Sequence, residues 1–472
     1  MYHKSSKLAY LLSALVVLAL LLGACAPAAT EVPKPAATEP PAPAATEEAA
    51  PAATEPPAPA QPAETQPAEE CTEPVGITYW DGLGAPDNVP MGELVKMYNE
   101  TNTDCVQVEE IVLDWGTLYT KLILDFKAGN APDVSTMHMP SLLQYVSLGI
   151  LKPIDELAAK YGFKGEDIAE VVWDGAVIDG KRVAIPLDMH PFALYYNVKA
   201  FEAAGLDPDK PPTTGEEFIE YAKKLTVDAD GDGTPEQYGT GLGYSGGNPF
   251  RVWMSLLWQH AGQEVLNEDH TKAAFNTPAG IESLQWLYDL VYTHKVSPPG
   301  ESDPDDDFMK GIVAMNITGP WAMGDYNKIE GLEYRTVPFP VVYDEMAVWD
   351  HPHMLVFPDS GDEAKTEAAM KFVRWMVQDN NWFWTSHSGH QPVVKAVQES
   401  EEFKALENWQ AFTKSLPYSN YYPQVVKSSE VFGREPTSPF VIMMESVMLD
   451  QATPEEAIAT AEESINEILA AP

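Results

Sequence analysis

From Val75 onward, apolar residues fall into short runs that alternate with stretches of helical spacing. Ile77–Trp80 reads as a strand, followed by a glycine-rich turn and a helix over Met91–Asn99. Val106–Val112 predicts a second strand, with a helix from Tyr119 to Ala128 after it. Ala131-Pro132-Asp133-Val134 leads a third strand to Met137-His138-Met139, and a helix over Ser141–Ser147 stops at Gly149. Strands alternating with helices predict an α/β domain with a largely parallel sheet covered on both faces. Ligands gather at the carboxyl ends of such strands, a position held here by Trp80, Asp81 and His138.

Between Gly180 and Leu206 the pattern changes. A strand at Val183–Pro186 meets the irregular turn Leu187-Asp188-Met189-His190-Pro191, and an apolar run resumes at Phe192–Tyr196. Asn197 can cap a helix over Val198–Ala204. Two strands split by a polar, proline-containing turn suit a chain passing from one sheet into another, which puts Asp188 and His190 near a boundary between lobes. One continuous sheet is the alternative. Downstream, Thr214 and Glu217 form a capping box at the head of a helix with an apolar stripe at Phe218, Tyr221, Ala222 and Leu225. Phe250–His260 is an aromatic helix whose Trp253 suits either core or ligand platform. Pro278–Thr293 is a helix capped by Thr277. Gly311–Met315 reads as a strand, with Trp321 on the Gly-Pro turn beyond it. Tyr334–Val342 and Val348–Phe357 are further strand regions. Thr366–Gln378 is an amphipathic helix, Ser388–Val393 a loop carrying His390, and Pro454–Leu469 a surface helix.

The length of 472 residues calls for two lobes or domains. A net charge of -42 argues against nucleic acid, whose phosphates need Lys and Arg. Lys4 and Lys7 precede an apolar run, Leu8–Leu22, too short to span a bilayer and suited to a secretory signal. It ends Leu22-Gly23-Ala24-Cys25, similar to the bacterial lipoprotein box in which the Cys takes the lipid; a plain signal peptide is the alternative. Residues 26–74, almost all Ala, Pro, Thr and Glu, have no apolar periodicity and read as an extended tether. Cys71 and Cys105 each sit just before a strand. If those strands are parallel neighbours, both thiols lie at one sheet edge and an exported protein can bridge them; two free thiols are the alternative.

The turn Asp228-Ala-Asp230-Gly-Asp232-Gly-Thr234-Pro-Glu236-Gln237 resembles the start of a calcium loop. Its twelfth position is Gly239 instead of a closing Glu. A structural calcium would use Asp228, Asp230, Asp232, the Thr234 carbonyl, Glu236 and Gln237; a solvated acidic turn is the alternative.

Taken in order, several motifs resemble the extracellular solute-binding proteins of ABC transporters, family 1, the sugar-binding group that includes maltose-binding proteins. They are Ala131-Pro-Asp133-Val134, Gly149-Ile-Leu151-Lys-Pro153-Ile-Asp155 and Gly180-Lys-x-x-Ala-Ile-Pro186. Tyr195-Tyr196-Asn197 with Phe201-Glu-x-Ala-Gly205-Leu206 and Pro212-Thr-Thr-x-Glu-Glu217 follow. The last are Gly311-x-x-Ala-Met315, Gly319-x-Trp321, and Ala368–Val377 with Gly389-x-x-Pro392. The resemblance spans about residues 75–472. It implies a two-lobed periplasmic-binding-protein (type II) fold with a hinge and an interlobe cleft, closing on a sugar that a permease then receives. The protein would be a monomer with no chemistry of its own. Lobe 1 is expected over 75–187 and about 335–385, lobe 2 over 188–334 and about 386–472. Trp349-Asp350-His351-Pro352-His353 departs from the Gly-Gly-Ser-like turn that many members carry.

Sugars need flat aromatic rings plus polar rim groups. The candidates are Trp80, Asp81, His138, Asp188, His190, Trp253, Trp321, Trp349, Asp350 and His390. Trp with Asp would also suit a polyamine. A glycoside-hydrolase reading has one carboxylate pair to offer, Asp81 with Asp188. A zinc reading has His351, His353, His387 and His390, outside any zincin pattern.

Overall fold

The computed structural model describes Cys71 and residues 73–471. The signal sequence, Cys25 and nearly all of the tether lie outside the described residues. Among the described residues, no helix is long and apolar enough to cross a membrane.

The first lobe is built on a five-stranded sheet. Its strands are β1 (Val75–Asp81), β2 (Val106–Val112), β3 (Val134–His138), β4 (Ala184–Pro186) and, from much later in the chain, β10 (His353–Val356), in the order β2-β1-β3-β10-β4. β1 runs parallel to both β2 and β3. The returning β10 is antiparallel to β3 and β4, so the sheet is mixed. Helices α1 (Asn88–Thr101) and α2 (Trp115–Ala128) follow β1 and β2. The Asp114 side chain accepts from Thr117 N–H at 2.9 Å and starts α2 four residues earlier than the apolar spacing predicts. Gly129, at φ 76°, ends it. A single apolar cluster from Ile77 to Val393 fills this lobe.

The second lobe has a three-stranded antiparallel sheet of β6 (Ala193–Asn197), β7 (Met315–Thr318) and β8 (Tyr334–Pro338), ordered β8-β6-β7. Its larger core gathers on the buried helix α3 (Gly247–Gln259). Since β8 pairs with β6, residues 335–349 belong with lobe 2, which corrects the expected boundary: the chain re-enters lobe 1 at His353. The continuous strand expected over Val348–Phe357 is two strands. β9 (Val348–Trp349) lies beside β12 (Ser419–Asn420), and Asp350-His351-Pro352 carries the chain from there into β10.

Three segments therefore pass between lobes. The first is the turn from β4 to β6, containing the two-residue strand β5 (Asp188–Met189). The second is Asp350–Pro352. The third follows Gly389, where β11 (Gln391–Pro392) pairs antiparallel with β5. They are laced together by backbone bonds, Leu187 N–H to His353 O at 2.9 Å and Phe192 N–H to Trp349 O at 3.2 Å.

At the edge of lobe 1, Cys71 and Cys105 form a disulfide with their Cα atoms 5.4 Å apart, ahead of the paired starts of β1 and β2. In the loop-entropy picture a bridge of this span constrains the unfolded chain by about 3–4 kcal/mol. Replacing both cysteines with serine is expected to lower the thermal midpoint by several degrees. A midpoint unmoved by the double substitution or by reductant would mean that the loop is already held by β1–β2 pairing alone.

Candidate functional site

The three crossing segments converge on one carboxylate. Asp188 is fully buried, and its oxygens are surrounded by donors. His190 Nδ1 lies 3.2 Å from Oδ1, His353 Nδ1 3.0 Å from both oxygens, and His390 Nδ1 3.0 Å from Oδ2. Trp384 Nε1 donates to Oδ2 at 2.8 Å. Beyond it, His390 Nε2 reaches Asp87 Oδ2 at 3.1 Å. Burial alone would raise the Asp188 carboxyl, but the imidazoles of His353 and His390 hold it well below the usual carboxylate range. Burial pulls the other way on His390, and the carboxylates of Asp188 and Asp87 overcome it, pushing that imidazole up to about 10. An ionised carboxylate only accepts, so the His190 and His353 nitrogens bonded to Asp188 carry a proton, while His390 Nδ1 lies close without an aligned hydrogen bond. Burial and neighbouring imidazoles hold His190 well below its usual range.

A second imidazole pair sits beside this hub. His138 opposes His353 across the β3–β10 ladder. Its Nδ1 is 2.6 Å from the Tyr119 hydroxyl, which also accepts from the His138 N–H at 3.1 Å. His351 stacks on His138 with centroids 4.1 Å apart and planes 11° from parallel. Burial keeps both well below the usual histidine range. Asp350 is turned away from the cleft: it accepts the His190 and His351 N–H groups at 2.9 and 2.7 Å and the Ser419 hydroxyl at 2.9 Å.

Over these groups lies an interlobe cleft with two connected parts of about 370 and 650 Å³ that share Asp114, Trp115, His138, Arg251 and Arg434. Lobe 1 contributes Trp115 and Tyr119, one helical turn apart on α2, with ring centroids at 5.8 Å; Trp115 also stacks on His353 at 7°. Lobe 2 contributes Trp321, Trp349, Tyr422 and two arginines. The Arg251 guanidinium lies 4.3 Å above the Trp349 ring, and its Nε donates to the Tyr422 hydroxyl at 3.1 Å. Among the described residues, neither Arg251 nor Arg434 has a carboxylate within ion-pair distance. Ser429 of lobe 2 donates its N–H and hydroxyl to Gln144 Oε1 of lobe 1, both at 3.0 Å, across one end of the cleft.

A family model matches residues 84–381 of this two-lobed chain. The chain belongs to the bacterial extracellular solute-binding proteins. A putative binding protein of Brucella abortus is 26% identical over 392 residues, covering 80% of this chain and 90% of that one. The sn-glycerol-3-phosphate-binding periplasmic protein of Escherichia coli is 23% identical over 416 residues, covering 83% and 92%. An ABC transporter solute-binding protein of Thermotoga lettingae, solved with α-D-tagatose, superposes with a TM-score of 0.73 at 26% identity, covering 84% of this chain and 100% of that one. The fold is that of the two-lobed maltose-binding proteins, as in maltose-bound MalE3 of T. maritima, at a TM-score of 0.71.

In this solute-binding protein, five of the candidates read from sequence line the cleft: His138, His190, Trp321, Trp349 and His390. Asp188 and Asp350 stand directly behind them. Three candidates are corrected. Trp80 is core, covered by Lys121 at 4.6 Å. Asp81 is fully buried and bonds Leu83 N–H and the Thr136 hydroxyl, so Asp81 and Asp188 do not flank a common substrate position. Trp253 packs in lobe 2 against Phe275 and Phe440 and donates to Gly280 O. His387 is exposed on Phe383 and apart from the other histidines.

In the acidic turn, Asp228, Asp230 and Asp232 bring oxygens within 4.8 Å of one another. The Gln237 amide is anchored through its Nε2 to Leu225 O at 2.6 Å, at the end of the preceding helix, which leaves its Oε1 as the atom it could offer a cation. The residues missed in sequence are Trp115, Tyr119, Arg251, Tyr422 and Arg434. An arginine inside an otherwise apolar helix, and an Asp cap ahead of Trp115, were the available signals.

Asp188 is expected to be the costliest single polar position in the lobe boundary. Asp188→Asn removes a buried charge that several donors share, and should destabilise the chain by about 3 kcal/mol in a denaturant titration. A loss under about 1 kcal/mol would show that the imidazoles satisfy one another without it.

Proposed function

We propose that this protein captures a carbohydrate between its lobes and delivers it to the transmembrane subunits of an ABC importer, working outside the cytoplasm as a monomer held to the membrane by lipid on Cys25. The observation that carries this is the aromatic lining of the cleft. Trp115 and Tyr119 on one side face Trp321, Trp349 and Tyr422 on the other, with imidazoles and guanidiniums between them. Sugar C–H faces pack on such rings while hydroxyls meet the polar groups. The relative from Thermotoga lettingae binds tagatose, which supports a sugar here. A ligand touching both lobes favours the closed state by its differential affinity, and that state is what a permease would recognise. No turnover is part of this proposal: the one carboxylate pair considered for hydrolysis is committed inward.

The two arginines favour one refinement. Guanidiniums without carboxylate partners suit a sugar or polyol that carries an acid group, and the Escherichia coli relative is named for sn-glycerol-3-phosphate. They count against a polyamine.

Thermal-shift screening of neutral sugars, acidic sugars, phosphorylated polyols and polyamines tests the substrate class, since a ligand binding only the folded state raises the midpoint. Trp115→Ala is expected to weaken the best ligand at least tenfold with the fold intact. Polyamine binding with no sugar binding would overturn the proposal. Cys25→Ser should release the protein from the membrane fraction; a variant that stays there would remove the lipid anchor.

We also propose a structural calcium in the exposed acidic turn, held by Asp228, Asp230, Asp232, the Thr234 carbonyl and Glu236. Calcium is then expected to raise the midpoint and a chelator to reverse it. Identical melts with and without calcium would leave a solvated turn.

A further inference from the structure

The family match gives no role to the histidines at the base of the cleft. Asp188, His190, His353 and His390 each offer a ligand atom, and these atoms all lie within 4.8 Å of one another. All four side chains are buried, and the three imidazoles line the smaller part of the cleft, so an ion entering from the cleft reaches them directly. We propose that these four residues form a site for one divalent transition-metal ion of the zinc class, which ties together the three segments that cross between the lobes.

The donor chemistry sets the class. Three imidazoles and one carboxylate suit zinc and its first-row neighbours, whereas calcium and magnesium demand mostly oxygen. The spacing agrees. Zinc bonds of about 2.0–2.1 Å place tetrahedral neighbours about 3.3 Å apart. The three Nδ1 atoms lie 3.0–3.2 Å from the Asp188 oxygens, so small side-chain rotations admit an ion in place of the protons His190 and His353 share there, and His390 Nδ1, buried without a hydrogen-bond partner, is open to it. Outer partners are present too. His390 keeps its Nε2 hydrogen on Asp87 at 3.1 Å, the carboxylate–histidine–metal arrangement that orients a ligating ring and raises its basicity. Asp350 fixes the His190 backbone through its N–H at 2.9 Å. The charge is also matched, because a dication with neutral imidazoles is balanced by Asp188 and Asp87.

The neighbouring trio His138, His190 and His351 also clusters, but it makes a poorer site. The His138 and His351 rings stack 11° from parallel at 4.1 Å, and an ion cannot lie in both ring planes at once. Tyr119 takes His138 Nδ1 as well. His138 and His351 therefore stay outside the set and serve as controls.

In the chosen set, Asp188 and His190 come from the first crossing, His353 closes the second, and His390 opens the third. An ion there joins residues far apart in the chain, so it should oppose motion of the crossings against one another.

The test uses the untagged full chain, stripped with a chelator and then titrated with zinc alone or cobalt(II) alone, with no sugar present. Bound metal is counted by elemental mass spectrometry, and cobalt is read by its visible absorption. The expected result is one zinc per chain, an intense cobalt band of the tetrahedral type that zinc abolishes, and a raised unfolding midpoint. His353→Gln and His390→Gln should each weaken zinc at least tenfold, while His138→Gln and His387→Gln leave it unchanged. Should the first two variants misfold, the cobalt band of the wild-type chain decides by itself, because the oxygen-only acidic turn gives weak octahedral absorption. No zinc retained at stoichiometric concentration, a cobalt spectrum of the octahedral type only, or binding unchanged in folded His353→Gln and His390→Gln would each overturn the proposal. Sugar binding is measured separately on the stripped chain, so failure of the carbohydrate reading would leave this result standing, and the reverse.

Discussion

A buried carboxylate must be satisfied by donors brought to it, and Asp188 is where the molecule meets that requirement. Its partners come from β10, from the loop before β11 and from the helix carrying Trp384, segments that all lie 165 or more residues further along the chain than Asp188. Each belongs to, or adjoins, a crossing between lobes. Satisfying one ionised group in a region closed to water therefore fixes how the crossings lie against each other. The paired β5 and β11 and the bond from Leu187 to His353 extend the same lacing to the backbone. The cleft above inherits its floor from this arrangement.

The two walls of that cleft differ in kind. Lobe 1 presents rings set by helical spacing from the start of α2. Lobe 2 presents rings interleaved with guanidinium groups on α3 and on the segment around Arg434. In a chain of net charge -42, the Arg251 guanidinium is held against the Trp349 ring with no carboxylate at ion-pair distance, on a wall that also carries Glu430 and Glu435.

Much of the fold was legible because alternation of strand and helix survives in lobe 1, and because the turn at Asp188–Pro191 interrupts an otherwise apolar stretch. The second crossing was hidden. Val348-Trp349 and His353–Val356 are both apolar enough to read as one strand, and only Asp350-His351-Pro352 marks the passage between sheets. The antiparallel sheet of lobe 2 was hidden too, since strand direction is set by partners distant in sequence. For the site, local signals found the rings on strand ends and turns. They failed at Trp80, a strand-end ring that faces the core, and at Trp253, which lies inside the buried helix α3. They also failed at Arg251, because a helix buried on all sides gives no periodicity to show which side meets the cleft. His353 and His390 come together through topology alone, which no spacing in the chain displays.

The disulfide at the edge of lobe 1 has a mechanical meaning. Cys71 precedes β1 and Cys105 precedes β2, and the two strands leave that edge side by side in parallel register. A pull on the chain ahead of Cys71 is thus divided between two strands loaded from the same end. Neither can be peeled from the other at that edge, and of the two only β1 borders β3. The β1–β2 ladder is thereby kept from opening one bond at a time from that edge.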